Sequence, residues 1–480
     1  MPTSAAYRPD PLFETLGPEF ADPVTPAAFP KALIRYRNER AAAVVGLEDL
    51  TREEWLAHFA RFEPLAENQV QPLAMRYHGH QFRTYNPDLG DGRGFLFAQL
   101  REAGSNRLLD LGTKGSGRTP WSRGGDGRLT LKGGVREVLA TAMLEALGVP
   151  TSRSFSLIET GEALDRNDEP SPTRGAVLTR LSHSHIRFGT FQRLAALERP
   201  DLIETLISHV IAVYQPWVAR AEIPAVGLLQ SVAQLSACLT ARWMAAGFVH
   251  GVLNTDNMNI NGESFDYGPY RFLPRNDPNF VAAYFDHSGL YSFGRQPEAA
   301  FWNLRQLAGA LTSVCDTEPL AAALNGFGLA YRQELARAIT ARLGLTPASE
   351  DADIDLANAA FRALAEVGTQ GGIDAGDALR WEPFFFDWFG GRASEGRALN
   401  GPRGGLYGGE AFLAFRALLA KREPERPERL LHPYFAKPGP EELLYDEIEA
   451  IWAAVAERDD WAPFAAKLAR IETARQAWGL

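Results

Sequence analysis

Cysteine is nearly absent. Cys238 and Cys315 are the only two in 480 residues, so there is no disulfide framework and no thiolate cluster for a metal. A reducing, cytoplasmic compartment is the expectation. Positive charge is also in deficit: 49 Lys and Arg face 59 Asp and Glu, for a net charge of −10. Nucleic acid is therefore not an expected partner, because phosphate neutralisation needs clustered cations. No unbroken apolar run reaches the ~20 residues of a membrane span; the stretch from Leu206 to Val218 is interrupted by His209, Gln215 and Pro216. Met1-Pro2-Thr3-Ser4 lacks the basic-then-apolar pattern of a secretory signal, and no membrane partner is expected. What the chain does have is bulk. Hydrophobic residues make up 45% and Phe occurs 28 times, enough for two or three domains or one bilobal enzyme.

Residues 1–30 are rich in Pro and polar residues and read as extended. Thr51 and Glu54 form a capping-box pattern that opens a helix over about 51–70. Two strand-like runs follow, Phe95–Leu100 and Leu108–Lys114, with Gly104, Ser105 and Asn106 between them as a hairpin loop. The seven glycines of 115–134 read as a long mobile loop. Val135, Val138, Leu139, Ala142, Met143, Ala146 and Leu147 then repeat at helical spacing, and Gly148 ends that helix. Strands are expected around 153–159 and 176–181, helices over most of 200–246 and 300–365. The aromatic cluster from Trp381 to Phe389 reads as core. Prolines and charges across Lys421–Glu441 read as a linker before two amphipathic helices at 441–473.

The densest chemistry lies at His250-Gly251-Val252-Leu253-Asn254-Thr255-Asp256-Asn257, followed by Asn261-Gly262 and Asp266-Tyr267-Gly268. His250 and Asn257 keep the spacing of a protein-kinase catalytic loop, but Val252 stands where the catalytic Asp belongs and cannot accept a proton. Asn-Gly between short apolar runs is a strong two-residue hairpin signal. Such a hairpin pairs Asn257 with Asp266 on one face, with Cβ atoms roughly 5 Å apart. An amide oxygen and a carboxylate so placed suit Mg²⁺, or the similar Mn²⁺, carrying a phosphate ligand.

Upstream, Gly90-Asp91-Gly92-Arg93-Gly94 precedes the first strand, and paired glycines let backbone N–H groups approach phosphate. Lys114 ends the second strand and Glu137 lies near the start of the next helix. That is the placement of the kinase phosphate-binding Lys and its Glu partner. Arg180 and Arg187 have guanidinium groups suited to phosphate, but spacing alone gives them no shared site. His78 with His80, and His183 with His185, lack a third metal ligand and read as structural. The order of elements is that of a kinase: an α+β, bilobal fold with N- and C-terminal extensions. Its expected boundaries are an extension at 1–75, a sheet-rich nucleotide lobe at 76–190, a helical catalytic lobe at 191–420, and a linker with helices at 421–480.

These blocks also resemble one family, the selenoprotein O family of kinase-like protein adenylyltransferases. The resemblance rests on Tyr77-His78-Gly79-His80-Gln81-Phe82, Leu89–Arg93, Lys114–Gly117, Thr119–Arg123, Gly125–Arg128, His250–Asn257, Asp266–Pro269 and Tyr291–Phe293, and covers about residues 75–310. It implies ATP held in reverse, so that the α-phosphate faces the acceptor. AMP would then pass to Ser, Thr or Tyr hydroxyls of protein substrates, with release of pyrophosphate. It further implies ATP contacts from Gly90, Gly92, Arg93, Lys114, Asp126, Gly127, Arg180, Arg187 and Asp266. Glu137 would pair with Lys114, Mg²⁺ would sit on Asn257 and Asp266, and Asp256 would be the proton acceptor. Val252 agrees with the last assignment, since Asp256 is the nearest carboxylate in the same loop. Many members carry a Cys or selenocysteine near the C-terminus; the segment Gln476–Leu480 has none, so redox control through it is not expected. The alternatives kept open are a kinase moving the γ-phosphate and a silent ATP-binding scaffold.

Overall fold

The computed structural model describes residues 4–167, 169–370 and 379–480. Twelve strands occur among the described residues: β1 (Ala21–Pro23), β2 (Leu33–Arg37), β3 (Leu73–Met75), β4 (Gly79–Gln81), β5 (Thr84–Asn86), β6 (Leu96–Arg101), β7 (Leu108–Lys114), β8 (Leu129–Thr130), β9 (Arg153–Leu164), β10 (Thr173–Ser182), β11 (Phe248–Val249) and β12 (Arg271–Phe272). An antiparallel sheet runs β1-β3-β6-β7-β10-β9-β2, with β8 added alongside β10. Residues 1–75 are thus not merely extended: they supply both edges of this sheet.

Strands β6 and β7 are buried along nearly their whole length, polar Gln99 and Asp110 included. One face packs on Trp55 and Phe59 of α2 (Arg52–Phe59), which follows α1 (Glu39–Val44). The capping box at Thr51 and Glu54 forms as expected. Helix α3 (Leu131–Ala146) packs on β9 and β10 of the same sheet, with Val135, Val138 and Leu139 buried. This helix begins four residues earlier than its apolar stripe, where Thr130 accepts from Gly133 N at 3.1 Å.

The loop before α3 is not the free segment that its glycines imply. It folds back on the Gly90–Gly92 turn. Thr119 Oγ1 donates to the Asp91 carbonyl at 2.6 Å, Ser122 Oγ to that of Gly92 at 2.5 Å, and Trp121 Nε1 to Asp22 Oδ2 at 2.9 Å. A Cβ at position 90 would stand 2.3 Å from the Trp121 ring. Glycine is required there to admit tryptophan, whatever it also does for a phosphate.

Helices α4 (Phe188–Ala196), α5 (Pro200–Val213), α6 (Pro224–Ala245), α7 (Gln296–Leu311), α8 (Thr317–Leu324) and α9 (Phe327–Arg342) build a second layer. With 22 residues and an 18-residue stretch of mean hydropathy 1.2, α6 is long and apolar enough to cross a membrane by length and composition, which the sequence reading did not anticipate. Here α6 packs against α7, α8 and α9, with Leu228, Val232 and Trp243 buried. The aromatic run forms the buried helix Trp381–Trp388. Residues 421–441 are not a loose linker. Short turns at Pro427–Leu431 and Pro433–Ala436 seat Tyr434 and Phe435 against Phe386, Phe389 and Trp478. The terminal helices are Tyr445–Arg458 and Ala462–Trp478.

Candidate active site

The antiparallel register of β7 and β10 creates the first part of the site. Leu178 pairs with Lys114 and Arg180 with Gly112, so Lys114 and Arg180 lie on one face, diagonal to each other. Both reach Glu137 on α3. Lys114 Nζ is 2.7 Å from Glu137 Oε2, and Arg180 is 3.5 Å from Oε1. Glu137 is fully buried. A carboxylate so placed is tolerable only with partners, and it has two cations.

The expected hairpin at 257–266 does not form. Asn261-Gly262 does turn, with Gly262 at φ +68 and its N–H bonded to the Asn259 carbonyl at 3.2 Å. The flanking segments pair elsewhere. Asn259 bridges Arg187, Ile260 N donates to the Ile186 carbonyl, and Ser264 bridges Thr151. The reason is burial: Met258, Ile260 and Phe265 each find an apolar neighbourhood in a different part of the chain, which outweighs a local two-strand ribbon that is marginal by itself. The misread hairpin does not separate its two key residues. Asn257 and Asp266 line the same cavity of about 640 Å³.

That cavity collects Gly90, Gly92, Arg93, Lys114, Asp126 and Gly127 from the small sheet and its loops. It adds Arg180 from β10 of the same sheet, and Arg187, Asp256, Asn257 and Asp266 from beyond it. Glu137 stays behind Lys114, outside the lining. The pairing of Arg187 with Asn259 answers why two arginines of unrelated spacing converge: the chain bends after β10 and lays Arg187 along the catalytic loop. Arg187 sits between the rings of Tyr77 and Phe265, at 4.4 and 4.7 Å, and donates to the Asp256 carbonyl at 2.7 Å. Asp91 holds its other end at 3.3 Å. Sequence reading missed Tyr77, Phe265 and Asp91 as its supports, although all three lie in or beside the motif blocks.

Asp266 adopts a left-handed backbone, φ +63, which Asp tolerates better than most residues. Its carboxylate lies 2.7 Å from Lys114, 3.5 Å from Arg180 and 4.0 Å from Arg187. Burial alone would raise its pKa, but the three cations win and hold it well below the usual carboxylate range. Asp256 goes the other way: burial pushes it up to about 6, against the pull of Arg187. Its Oδ1 and the Oδ1 of Asn257 are buried without a hydrogen-bond partner. Asn257 Nδ2 donates to the Val252 carbonyl at 3.0 Å, which turns the amide oxygen the other way. Asp126 is held by Arg166 at 2.8 Å and by the Arg128 N–H at 2.9 Å. His78 meets Tyr85 OH at 2.6 Å, and His80 meets Gln192 at 2.8 Å. No group of three metal-ligating His, Cys, Asp or Glu occurs among the described residues.

A deep cavity lined by cations and glycines, with two acidic side chains of opposite pKa tendency, is the site of a nucleotide-dependent transferase. Residues 4–370 match the family described as Protein adenylyltransferase SelO, and the chain belongs to that family. Similar relatives carry the name Protein nucleotidyltransferase YdiU. The protein from Gloeobacter violaceus is 46% identical over 95% of this chain and 93% of its own length. That from Synechocystis is 42% identical over 95% and 96%. That from Synechococcus elongatus is 52% identical over 70% and 68%. Relatedness therefore extends well beyond the 75–310 span legible by motif.

Proposed function

We propose that this protein is a protein adenylyltransferase on a kinase-like bilobal fold. It moves AMP from ATP to Ser, Thr or Tyr hydroxyls of proteins and releases pyrophosphate. The lobes in this reading are residues 76–190 and 191–420. The observation that carries it is the inversion in the catalytic loop: Val252 fills the place of the usual base, while Asp256 lines the cavity and its Oδ1 has no hydrogen-bond partner.

The residues divide the work as follows. Lys114, Arg180 and Arg187 neutralise the phosphates, and transfer of this kind depends mainly on positioning and charge. Glu137 holds Lys114 in place. The acceptor oxygen bonds to the α-phosphorus, the bond from that phosphorus to the pyrophosphate oxygen breaks, and Asp256 takes the hydroxyl proton. A divalent ion fits the remaining donors. The orphaned amide oxygen of Asn257 and the ionised Asp266 are two hard oxygen ligands, the type Mg²⁺ or Mn²⁺ takes beside phosphate and water. When bound, the ion supplies further neutralisation of phosphate charge.

ATP labelled at the α- or the γ-phosphate tests the reading. Protein-bound label from the α position alone is the expected result. Label from γ alone makes the protein a kinase, and label from neither makes it a scaffold.

A further inference from the structure

A second groove, of about 470 Å³, adjoins the nucleotide cavity and shares Arg93, Lys114, Arg128 and Arg166 with it. Its far wall is formed by Lys132 and Arg136 of α3, Arg271 of β12, and Tyr445 and Glu449 of the helix Tyr445–Arg458. Charge here runs against the sign of the whole chain. Arg128 is paired with Glu162 and Arg166 with Asp126. Lys132 takes Glu449 at 2.7 Å and leaves Arg136 only a 4.0 Å contact with the same carboxylate. Arg93 and Arg271 make no ion pair among the described residues.

Arg136 and Arg271 are forced together. Both donate to the Tyr270 carbonyl, at 3.4 and 2.9 Å, and both lie over the Tyr445 ring, at 5.9 and 3.8 Å. Two like charges on one carbonyl, with a single shared carboxylate nearby, form a site short of negative charge. Burial and the Arg136 charge both lower the Arg271 pKa. Beside them is an uncovered aromatic shelf. Tyr284 is 80% exposed and Phe285 42%, with their rings 5.1 Å apart, and both line the groove.

We propose that this groove is the docking site for the acceptor protein: an extended segment whose Asp or Glu side chains pair with Arg271, Arg136 and Lys132, and whose apolar residue rests on Tyr284 and Phe285. The shared cationic rim then sets the acceptor hydroxyl at the mouth of the nucleotide cavity. Carboxylates suit forked guanidinium donors, and aromatic side chains are frequent anchors of protein–protein contacts. The acceptor role rests on the adenylyltransferase reading; peptide binding in the groove does not.

The test therefore reads binding first. A fluorescent peptide with a central Ser flanked by Glu and one Leu is titrated with the full chain, beside the same peptide with Gln for Glu. The Glu peptide is expected to bind about tenfold tighter, a difference of roughly 1.4 kcal/mol, and the preference is expected to shrink at high salt. Arg271→Glu with Lys132→Gln removes the preference, and Tyr284→Ala weakens both peptides, while melting temperature and ATP binding stay unchanged. Equal binding of the two peptides overturns the proposal. So does equal binding of a single-stranded oligonucleotide of matched charge, or an unaltered preference in the double variant. Transfer of α-label to the bound peptide is scored separately: docking without transfer defeats the enzymatic reading and leaves the groove assignment standing.

Discussion

Gly79 faces Asp256 so closely that a Cβ at position 79 would stand 3.0 Å from Asp256 Oδ1 and 3.1 Å from its Cβ. The β4–β5 hairpin is also bound to the catalytic loop next to that contact. His80 N donates to Thr255 Oγ1 at 2.7 Å and Phe82 N to Asn254 Oδ1 at 3.1 Å. Gly79→Ala should displace the Asp256 carboxylate by a few tenths of an ångström without unfolding the chain. We expect kcat for AMP transfer to fall about 10- to 100-fold, with little change in KM for ATP. An unchanged kcat in α-label assays would show that Asp256 need not be so placed.

Asp256→Asn keeps the shape and removes the proton acceptor. Transfer should drop by about 10²- to 10⁴-fold, the usual worth of a positioned base. ATP binding by calorimetry should persist, because Lys114, Arg180 and Arg187 are untouched. Loss of ATP binding would assign Asp256 to the nucleotide instead.

Lys114→Ala leaves Glu137 buried with only Arg180, at 3.5 Å. Breaking a buried pair from one side costs about 3–5 kcal/mol, so a lower urea midpoint should accompany loss of ATP binding. The second change Glu137→Gln should restore much of the stability and none of the binding. If the double variant binds ATP normally, Lys114 is structural alone.

Asn257→Ala should lower transfer steeply at standard Mg²⁺ and partly recover at high Mg²⁺ or Mn²⁺. Chelation of divalent ions should abolish transfer in the unaltered protein. Full activity in a chelator would remove the metal from the scheme.

Glu442 is a test of pH dependence remote from the nucleotide. Burial and Glu382 raise it to about 7, against Arg380, Lys467 and Arg403. Between its ordinary value of 4.5 and about 7, the folded protein holds a proton that the unfolded chain has released. Stability from this group therefore falls as pH rises through that window. The cost above pH 7 is on the order of 3 kcal/mol. Glu442→Gln should raise the melting temperature at pH 8 and leave it nearly unchanged at pH 4.5. Equal gains at both values would rule out the titration.

Much of the site was legible because its residues are tied to local signals. Lys114 ends an apolar strand, Glu137 follows at the start of a periodic helix, and the 250–268 block carries its own spacing. The convergence of Arg180 and Arg187 was not legible, since it depends on β7–β10 register and on a bend that pairs Arg187 with Asn259. The 257–266 hairpin was misread for the same reason: Asn-Gly fixes a turn, but where the flanks pair is decided by distant partners.

By itself, then, the sequence determined which chemical groups are available and the local elements that carry them, because turns, caps and apolar periodicity act over a few residues. Only the tertiary structure decided which charges meet. Lys114, Arg180 and Arg187 crowd Asp266, while at Asp256 burial outweighs the pull of Arg187, and that difference separates two otherwise equal carboxylates. It arises from packing between segments far apart in the chain, where burial and neighbouring charge, not residue type, set the energy of ionisation.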